Sequence, residues 1–405
     1  MRIAQLCFQR YPSPSHVGGG DVRRWQDLCS IRALGHEVHV VVCDPSNEPT
    51  PELHQVASSV TVVRSESMLL GSPRWLLSRV FNPTSLALAY PDLRGLRQSV
   101  SSAMQGFGTG PDLIWAEEAF AVLLSPDGPP IVHSHLDFHF KLHSVRGRSF
   151  ASKRLRRPQA LTIKRLEKVE VDACRRSAHT MCASRSEADF LRDLGISASY
   201  LPVAGPTTPE PDYRKLSEGR LFLFGNPNTA MRAARHDLRT RVWPEIERRK
   251  LALQWHQLGK IPRKGGDPSW EWLEEHFVIH GFVENLEDVF LPGDASVMPY
   301  PFDTGGRAKF AVSAGYGMVN IAYEKTFECS DEFTHGVDCL AARDPAHFAE
   351  LLAEFVSDDA LRLRLAKGSR AVYERHFTME ALYPEYKRIL DIAMRTNTGL
   401  VPCAS

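Results

Sequence analysis

Nowhere in its 405 residues does the chain hold an uninterrupted apolar run approaching the ~18 residues of a membrane span. It has no C-x-x-C pair and no zinc-type spacing. Its eight cysteines are scattered, which fits reduced thiols in a cytoplasmic protein and excludes a disulfide framework. An excess of one charge is missing too. With 49 Lys+Arg against 48 Asp+Glu the net charge is +1, so no global field favours nucleic acid or a membrane surface. The opening residues, MRIAQLCFQRY, lack the apolar core of a secretory signal. There is no internal repeat and no low-complexity tract. The expectation is a soluble, cytoplasmic, globular chain, and at ~150 residues per domain it should hold two or three domains.

The first segment reads strand, glycine loop, helix, strand. Ile3–Phe8 is a short apolar run and YPSPSHVGGG a loop. A helix is expected from Asp21, a good N-cap, with Val22, Trp25, Leu28 and Ile31 at three-residue spacing and Gly35 as its stop. EVHVVVC (37–43) suits a strand buried on both faces, completing a βαβ unit. Further strands are expected at 112–117, 130–135, 179–184 and 200–205, with a long helical region over 151–176. PVAGPTTPEPDYRKLSEG (202–218) reads as a linker. A second series follows: a strand at 220–225, a helix over 229–250, and strands at 253–259, 276–282, 295–300 and 318–323. The helix 344–356 places Phe348, Leu351, Leu352 and Phe355 on one face. The fold class is α/β.

Two stretches carry chemistry. Gly18, Gly19 and Gly20 lie between a strand and a helix, where bare backbone beside helix N–H groups lets a ligand approach. The pattern is not G-x-G-x-x-G, so the dinucleotide fingerprint is absent; a plain flexible connector is the other reading. In the second, Asp303-Thr304-Gly305-Gly306 turns into a helix, with Arg307 and Lys309 following at once. Orphan N–H groups, the helix dipole, a guanidinium fork and an ammonium together suit a diphosphate at the carboxyl ends of parallel strands. An ordinary strand–turn–helix with solvated cations is the alternative.

Other clusters are open to plainer readings. VHSHLDFHFKLH contains His133, His135, His139 and His143. His139 and His143 are one helical turn apart, as in metal sites, but His133 and His135 belong to a strand, so no metal site is expected. The stretch 153–176 has nine cations and three anions. It reads as a solvated basic face or as a weak contact for an anionic acceptor or membrane surface. Its cations are not interleaved with aromatics, so nucleic acid is not expected. Glu117 and Glu118, after an apolar strand, are a possible acid/base pair.

The order and spacing of several segments resemble the nucleotide-sugar glycosyltransferases of the GT-B fold, particularly the retaining family 4. GHEVHVVV follows the glycine-loop helix; VIHGFVENLEDVFLPGDASVMPY, RAKFAVSAGYGMVNIA and HGVDCLAARDPAHFAELLAEFV follow in the second half; CASRSEADFL and LPVAG match elements closing the first domain. The resemblance implies two Rossmann-like parallel-sheet domains facing each other across a cleft: 1–205 for the acceptor, a linker at 206–218, 219–378 for the donor, and a C-terminal helix (379–405) crossing back to the first. It implies retaining, metal-independent hexosyl transfer with no cofactor, from a nucleotide-diphosphate sugar to a small-molecule, glycan or lipid-linked acceptor. Gly18 to Gly20 would lie against donor phosphates or acceptor, and His135 would face the reacting sugar carbon. Gly281, Phe282 and Val283 would line the nucleobase pocket, and Arg307 and Lys309 would meet the diphosphate.

The chain departs from that pattern at identifiable positions. The family's Glu-x7-Glu pair falls at Thr304 and Val312, with Asp303 one residue before the first. The usual Arg and Lys after the first donor-domain strand are out of register; Asn226 and Asn228, with Arg232 or Arg235, stand nearby. Two alternatives therefore accompany the transferase: a catalytically inactive sugar-nucleotide binder or scaffold of the same fold, and a sugar-nucleotide epimerase.

Overall fold

Short β-branched and apolar runs become parallel strands, and the segments between them fold back as helices. The computed structural model describes residues 1–14, 19–46, 48–64, 93–150, 156–225, 228–260, 270–301 and 306–397. Gly18, Asn226, Asp303, Thr304 and Gly305 lie outside them. The chain divides into two compact units. One comprises Met1–Val203 with the C-terminal stretch from Leu382, and Gly306 groups with it; the other comprises Ala204–Asp303 and Arg307–Ala381.

In the first unit β1 (Arg2–Phe8), β2 (Glu37–Cys43), β3 (Ser59–Val63), β4 (Leu113–Glu117), β5 (Ile131–His135), β6 (His179–Cys182) and β7 (Ala198–Tyr200) form one sheet of order β3-β2-β1-β4-β5-β6-β7. Every pairing is parallel. The helices are α1 (Gly19–Ala33), α2 (Pro51–Val56), α3 (Leu93–Gln105), α4 (Glu118–Leu124), α5 (His139–Phe150), α6 (Arg156–Arg176) and α7 (Arg185–Asp193). The second unit holds β8 (Leu221–Phe224), β9 (Trp255–Leu258), β10 (Val278–Gly281), β11 (Ala295–Met298), β12 (Val319–Tyr323) and β13 (Cys339–Ala342), in the order β10-β9-β8-β11-β12-β13. Its helices are α8 (Thr229–Asp237), α9 (Trp243–Arg248), α10 (Trp270–His276), α11 (Ala308–Gly315), α12 (Glu324–Phe327), α13 (Pro345–Ser357) and α14 (Asp359–His376); α15 (Met379–Asn397) runs from this unit into the first. In each sheet the first strand in sequence pairs with the fourth. Ligands of such sheets bind beyond the carboxyl ends of the strands at that reversal of order.

Three expected elements differ in ways that have local causes. Helix α1 begins at Gly19, not at an Asp21 cap, because the Asp21 carboxylate is engaged by Arg10 (2.9 Å) and Arg24 (3.2 Å). The helix expected over 229–250 is broken by a π turn at Leu238–Val242. Pro244 has no N–H to give the preceding turn, and the Trp243 N–H bonds five residues back to Leu238 O. The strand expected over 200–205 stops at Tyr200. Pro202 cannot extend the ladder, and Arg23 Nη1 takes up the Leu201 and Pro202 carbonyls at 2.8 and 3.0 Å.

One buried carboxylate ties the first unit together. Asp27 on α1 accepts from Trp115 Nε1 (3.0 Å) on β4, Ser134 Oγ (2.6 Å) on β5 and the Tyr386 hydroxyl on α15, and pairs with Arg23 Nε at 3.1 Å. Both members of the pair are fully buried.

Two buried histidines make the fold acid-sensitive. His179 is pushed down to about 4 by burial, then by the Arg388 charge; His256 is pushed to about 4 by burial, then by Arg220 and His280. Both values lie below the ordinary 6.5, so the unfolded chain takes up protons first as the pH falls. Their contribution is complete above pH ~6.5 and is lost towards pH 4, at about 3 kcal/mol for His179 and less for His256, whose ring is nearer solvent. Urea midpoints should therefore drop between pH 7 and 4.5. His179→Gln, which removes the titrating ring from between Ser197 and Ser199 (2.8 Å each), should shrink that drop; an unaltered drop contradicts the assignment.

Candidate active site

At the reversal point of the first unit, the carboxyl ends of β1 and β4 are closed by unusual backbone. Gln9 (φ 60°) follows β1 and Glu118 (φ 69°) follows β4, both left-handed without being glycine. Such residues cost on the order of 1–3 kcal/mol and gather at functional sites. Beside them Gly20 is tightly packed: a Cβ there would press on Leu136 Cδ1 at 3.2 Å and Arg24 Nη1 at 3.3 Å. Arg24 Nη2 donates to Glu118 Oε1 at 2.6 Å. Glu117, behind them, is almost fully buried and accepts from Gln5 Nε2 at 2.6 Å. Burial, then the charge of Asp27, drives its carboxyl well above the usual range.

His135 closes β5. Its ring is buried against Phe138, with centroids 4.1 Å apart, and its Nε2 lies 3.4 Å from Glu187 Oε2. Ser184-x-x-Glu187 has the form of a capping box, yet Ser184 makes no side-chain cap and Glu187 turns to His135 and the Phe138 N–H (3.3 Å). Burial acts to raise the Glu187 carboxyl, but its contacts with His135 outweigh this and hold it below its ordinary value. His139 starts α5. Its backbone N–H (3.0 Å), its Nδ1 (2.9 Å) and the Phe140 N–H (3.1 Å) meet the Glu170 carboxylate of α6. The hydrogen bond to Glu170 outweighs burial and raises His139 to about 9, so it is a cation at neutral pH. His133 contacts Cys174 Sγ through Nδ1 (3.6 Å). Among the described residues, no group of three or more His, Cys, Asp or Glu is placed to hold a metal ion. Arg24, Glu117, Glu118, His135, His139 and Glu170 line a cavity of about 360 Å3.

In the second unit, Gly225 (φ 134°), Gly259 (φ 112°) and Gly281 (φ 70°) stand at the carboxyl ends of β8, β9 and β10. The Gly225 N–H bonds Leu258 O (3.0 Å) and the Gly259 N–H bonds Gly281 O (2.7 Å). A Cβ on Gly259 would lie 2.6 Å from Gly225 O, and one on Gly225 would lie 2.4 Å from Lys309 Cε. Lys309 thus crosses bare backbone next to the β8/β11 reversal. Its Nζ meets the Tyr300 hydroxyl at 2.8 Å and Met231 Sδ at 3.0 Å, and no carboxylate among the described residues pairs with it. The Arg307 guanidinium stacks over the Tyr300 ring, 4.8 Å from its centroid. A half-buried ammonium and a guanidinium thus stand at the start of α11, where the helix dipole favours negative charge.

The other expected residues fall as follows. Asn228 caps α8, accepting the Met231 N–H at 2.8 Å; Arg232 is exposed and Arg235 fully buried. Phe282 is 67% exposed, whereas Val283 packs on the cluster of Phe222, Phe224 and Phe290. Val312 belongs to that apolar cluster as well. Gly225, Gly259, Tyr300, Arg24 and Glu187 carry no mark in the sequence, and Glu118, expected to pair with Glu117 as acid and base, is instead paired with Arg24. A glycine directly after an apolar strand was the available signal for Gly225 and Gly259, and the incomplete capping box for Glu187.

No protein-family model matches the chain, and no curated protein matches it significantly. Solved structures do. Anabaena HepE in complex with UDP aligns with a TM-score of 0.64 at 13% identity, over 96% of this chain and 100% of that one. WaaG, a glycosyltransferase involved in lipopolysaccharide biosynthesis, aligns at 0.62 with 11% identity, over 96% and 99%. The N-terminal domain of Candida albicans trehalose-6-phosphate phosphatase aligns at 0.63 with 10% identity, over 96% and 97%. With its seven- and six-stranded parallel sheets, the chain has the GT-B fold.

Proposed function

We propose that the protein is a retaining glycosyltransferase that moves a sugar from a nucleotide-diphosphate sugar to an acceptor, with the donor on the second unit and the acceptor on the first. The observation that carries this is the Lys309 ammonium, held by a phenol and a thioether over bare glycine backbone at the β8/β11 reversal. As the bond to the diphosphate breaks, negative charge collects on the leaving group. Lys309, Arg307 and the first amides of α11 stabilise it there, the kind of term that usually dominates. Attack comes from the same face, and a donor phosphate oxygen takes the acceptor proton. His135, fixed by Glu187, faces the sugar. No metal or cofactor takes part. HepE has been solved with UDP and with UDP-glucose, which makes UDP-glucose the first donor to try.

The inactive binder is the second reading, because Val312 packs in an apolar cluster where the resemblance places a ribose-binding carboxylate. A thermal-shift screen of UDP-, GDP-, ADP- and TDP-sugars, followed by assay of nucleotide release, separates the two. The transferase predicts one stabilising donor with slow hydrolysis. Stabilisation without release contradicts turnover, and no stabilisation by any donor contradicts both readings.

A further inference from the structure

The cavity of the first unit has two unlike sides. One is polar: Arg24 with Glu118, His135, and His139 with Glu170. The other is apolar. Phe120 and Leu123 of α4 face Leu166 and Val169 of α6, all four only partly buried although they line a concave surface. A wall of partly exposed apolar side chains in a cavity implies a ligand with hydrocarbon or aromatic surface.

Charge decides the rest. Arg24 is paired with Asp21 and Glu118, Arg10 with Asp21, and the His139 cation with Glu170. The lining adds one more cation, Arg165, and one more carboxylate, Asp137. Glu117, bonded to Gln5 behind them, can add only negative charge. Among the described residues the cavity therefore carries no surplus of cations for a phosphate or carboxylate, whose desolvation would go uncompensated. Carboxylate–guanidinium pairs at 2.6 to 3.2 Å offer both acceptors and donors to hydroxyl groups instead.

We propose that the cavity takes an uncharged amphipathic acceptor, its hydroxyl-bearing head at Glu118, Arg24 and His135 and its apolar body on the Phe120–Leu123–Leu166–Val169 wall. The role as acceptor rests on the transferase reading; occupancy by such a molecule does not.

Calorimetric titration of the full chain, without donor, with hexyl β-D-glucoside, methyl β-D-glucoside and hexyl phosphate tests this. Hexyl glucoside should bind at least tenfold more tightly than either of the others. Leu123→Gln and Val169→Gln, neither part of a buried cluster, should weaken it at least tenfold with the melting temperature unchanged. Equal binding of methyl glucoside, tighter binding of hexyl phosphate, no binding of hexyl glucoside, or indifference to both substitutions overturns the proposal. Because no donor is present, a protein that binds hexyl glucoside yet no sugar nucleotide would lose the transferase reading and keep this one.

Discussion

Arg307→Ala combined with Lys309→Ala should lower sugar transfer at least about a thousandfold, equivalent to about 4 kcal/mol of lost stabilisation of the leaving diphosphate. The fold should survive. Arg307 lies outside the buried core and stacks on Tyr300, while among the described residues the Lys309 ammonium bonds a hydroxyl and a thioether. Neither stands among the buried residues that form the core. The pair should also act unequally. Lys309→Gln, which keeps length and polarity but not charge, should lose most of the effect of the double variant in kcat. Arg307→Lys, which keeps charge but not the flat fork, should retain part. Single-turnover rates with the melting temperature measured in parallel check this. Undiminished turnover of the folded double variant would remove both cations from the chemistry.

Asp27→Ala should cost about 3–5 kcal/mol of stability in the first unit, because it strands the buried Arg23 guanidinium along with a Trp, a Ser and a Tyr donor. The cost comes from leaving partners without their acceptor more than from losing a favourable pair. Replacing both ions, Arg23→Met with Asp27→Leu, should therefore cost less than Asp27→Ala alone. Urea unfolding followed by tryptophan fluorescence, compared with that of a Trp115→Phe background to assign the first unit's signal, reads this, since the Trp115 indole N–H bonds the carboxylate. A double variant less stable than the single one would contradict the argument.

How legible was this in the sequence? EVHVVVC and RLFLFG declared themselves as strands because two-sided burial demands unbroken apolar, β-branched runs. The helix 345–357 was equally plain, since Phe348, Leu351, Leu352 and Phe355 all proved buried. β13, built from Cys-Leu-Ala-Ala, carries no β-branched residue and gave no period to read. β3 was short and its burial incomplete. The two units' reversal points were not legible at all: strand order depends on pairings between segments far apart, such as Ile3 with Leu113 and Ala295 with Leu221. His135, Arg307 and Lys309 could be named from their neighbours in sequence. Glu187 and Arg24 could not, because their meaning comes from partners 52 and 94 positions away, and Glu118 could be named only as a partner of Glu117, not of Arg24.

The claim beneath the account is that a sugar-linked pyrophosphate rests on the amino end of α11, with Lys309 and Arg307 as its cations. A crystal soaked with UDP-glucose, or with the donor that the screen selects, tests it most directly. Phosphate density is expected within hydrogen-bonding distance of Lys309 Nζ and the Arg307 guanidinium, over Gly225. Donor bound elsewhere, with Lys309 still held by Tyr300 and Met231 alone, would contradict it.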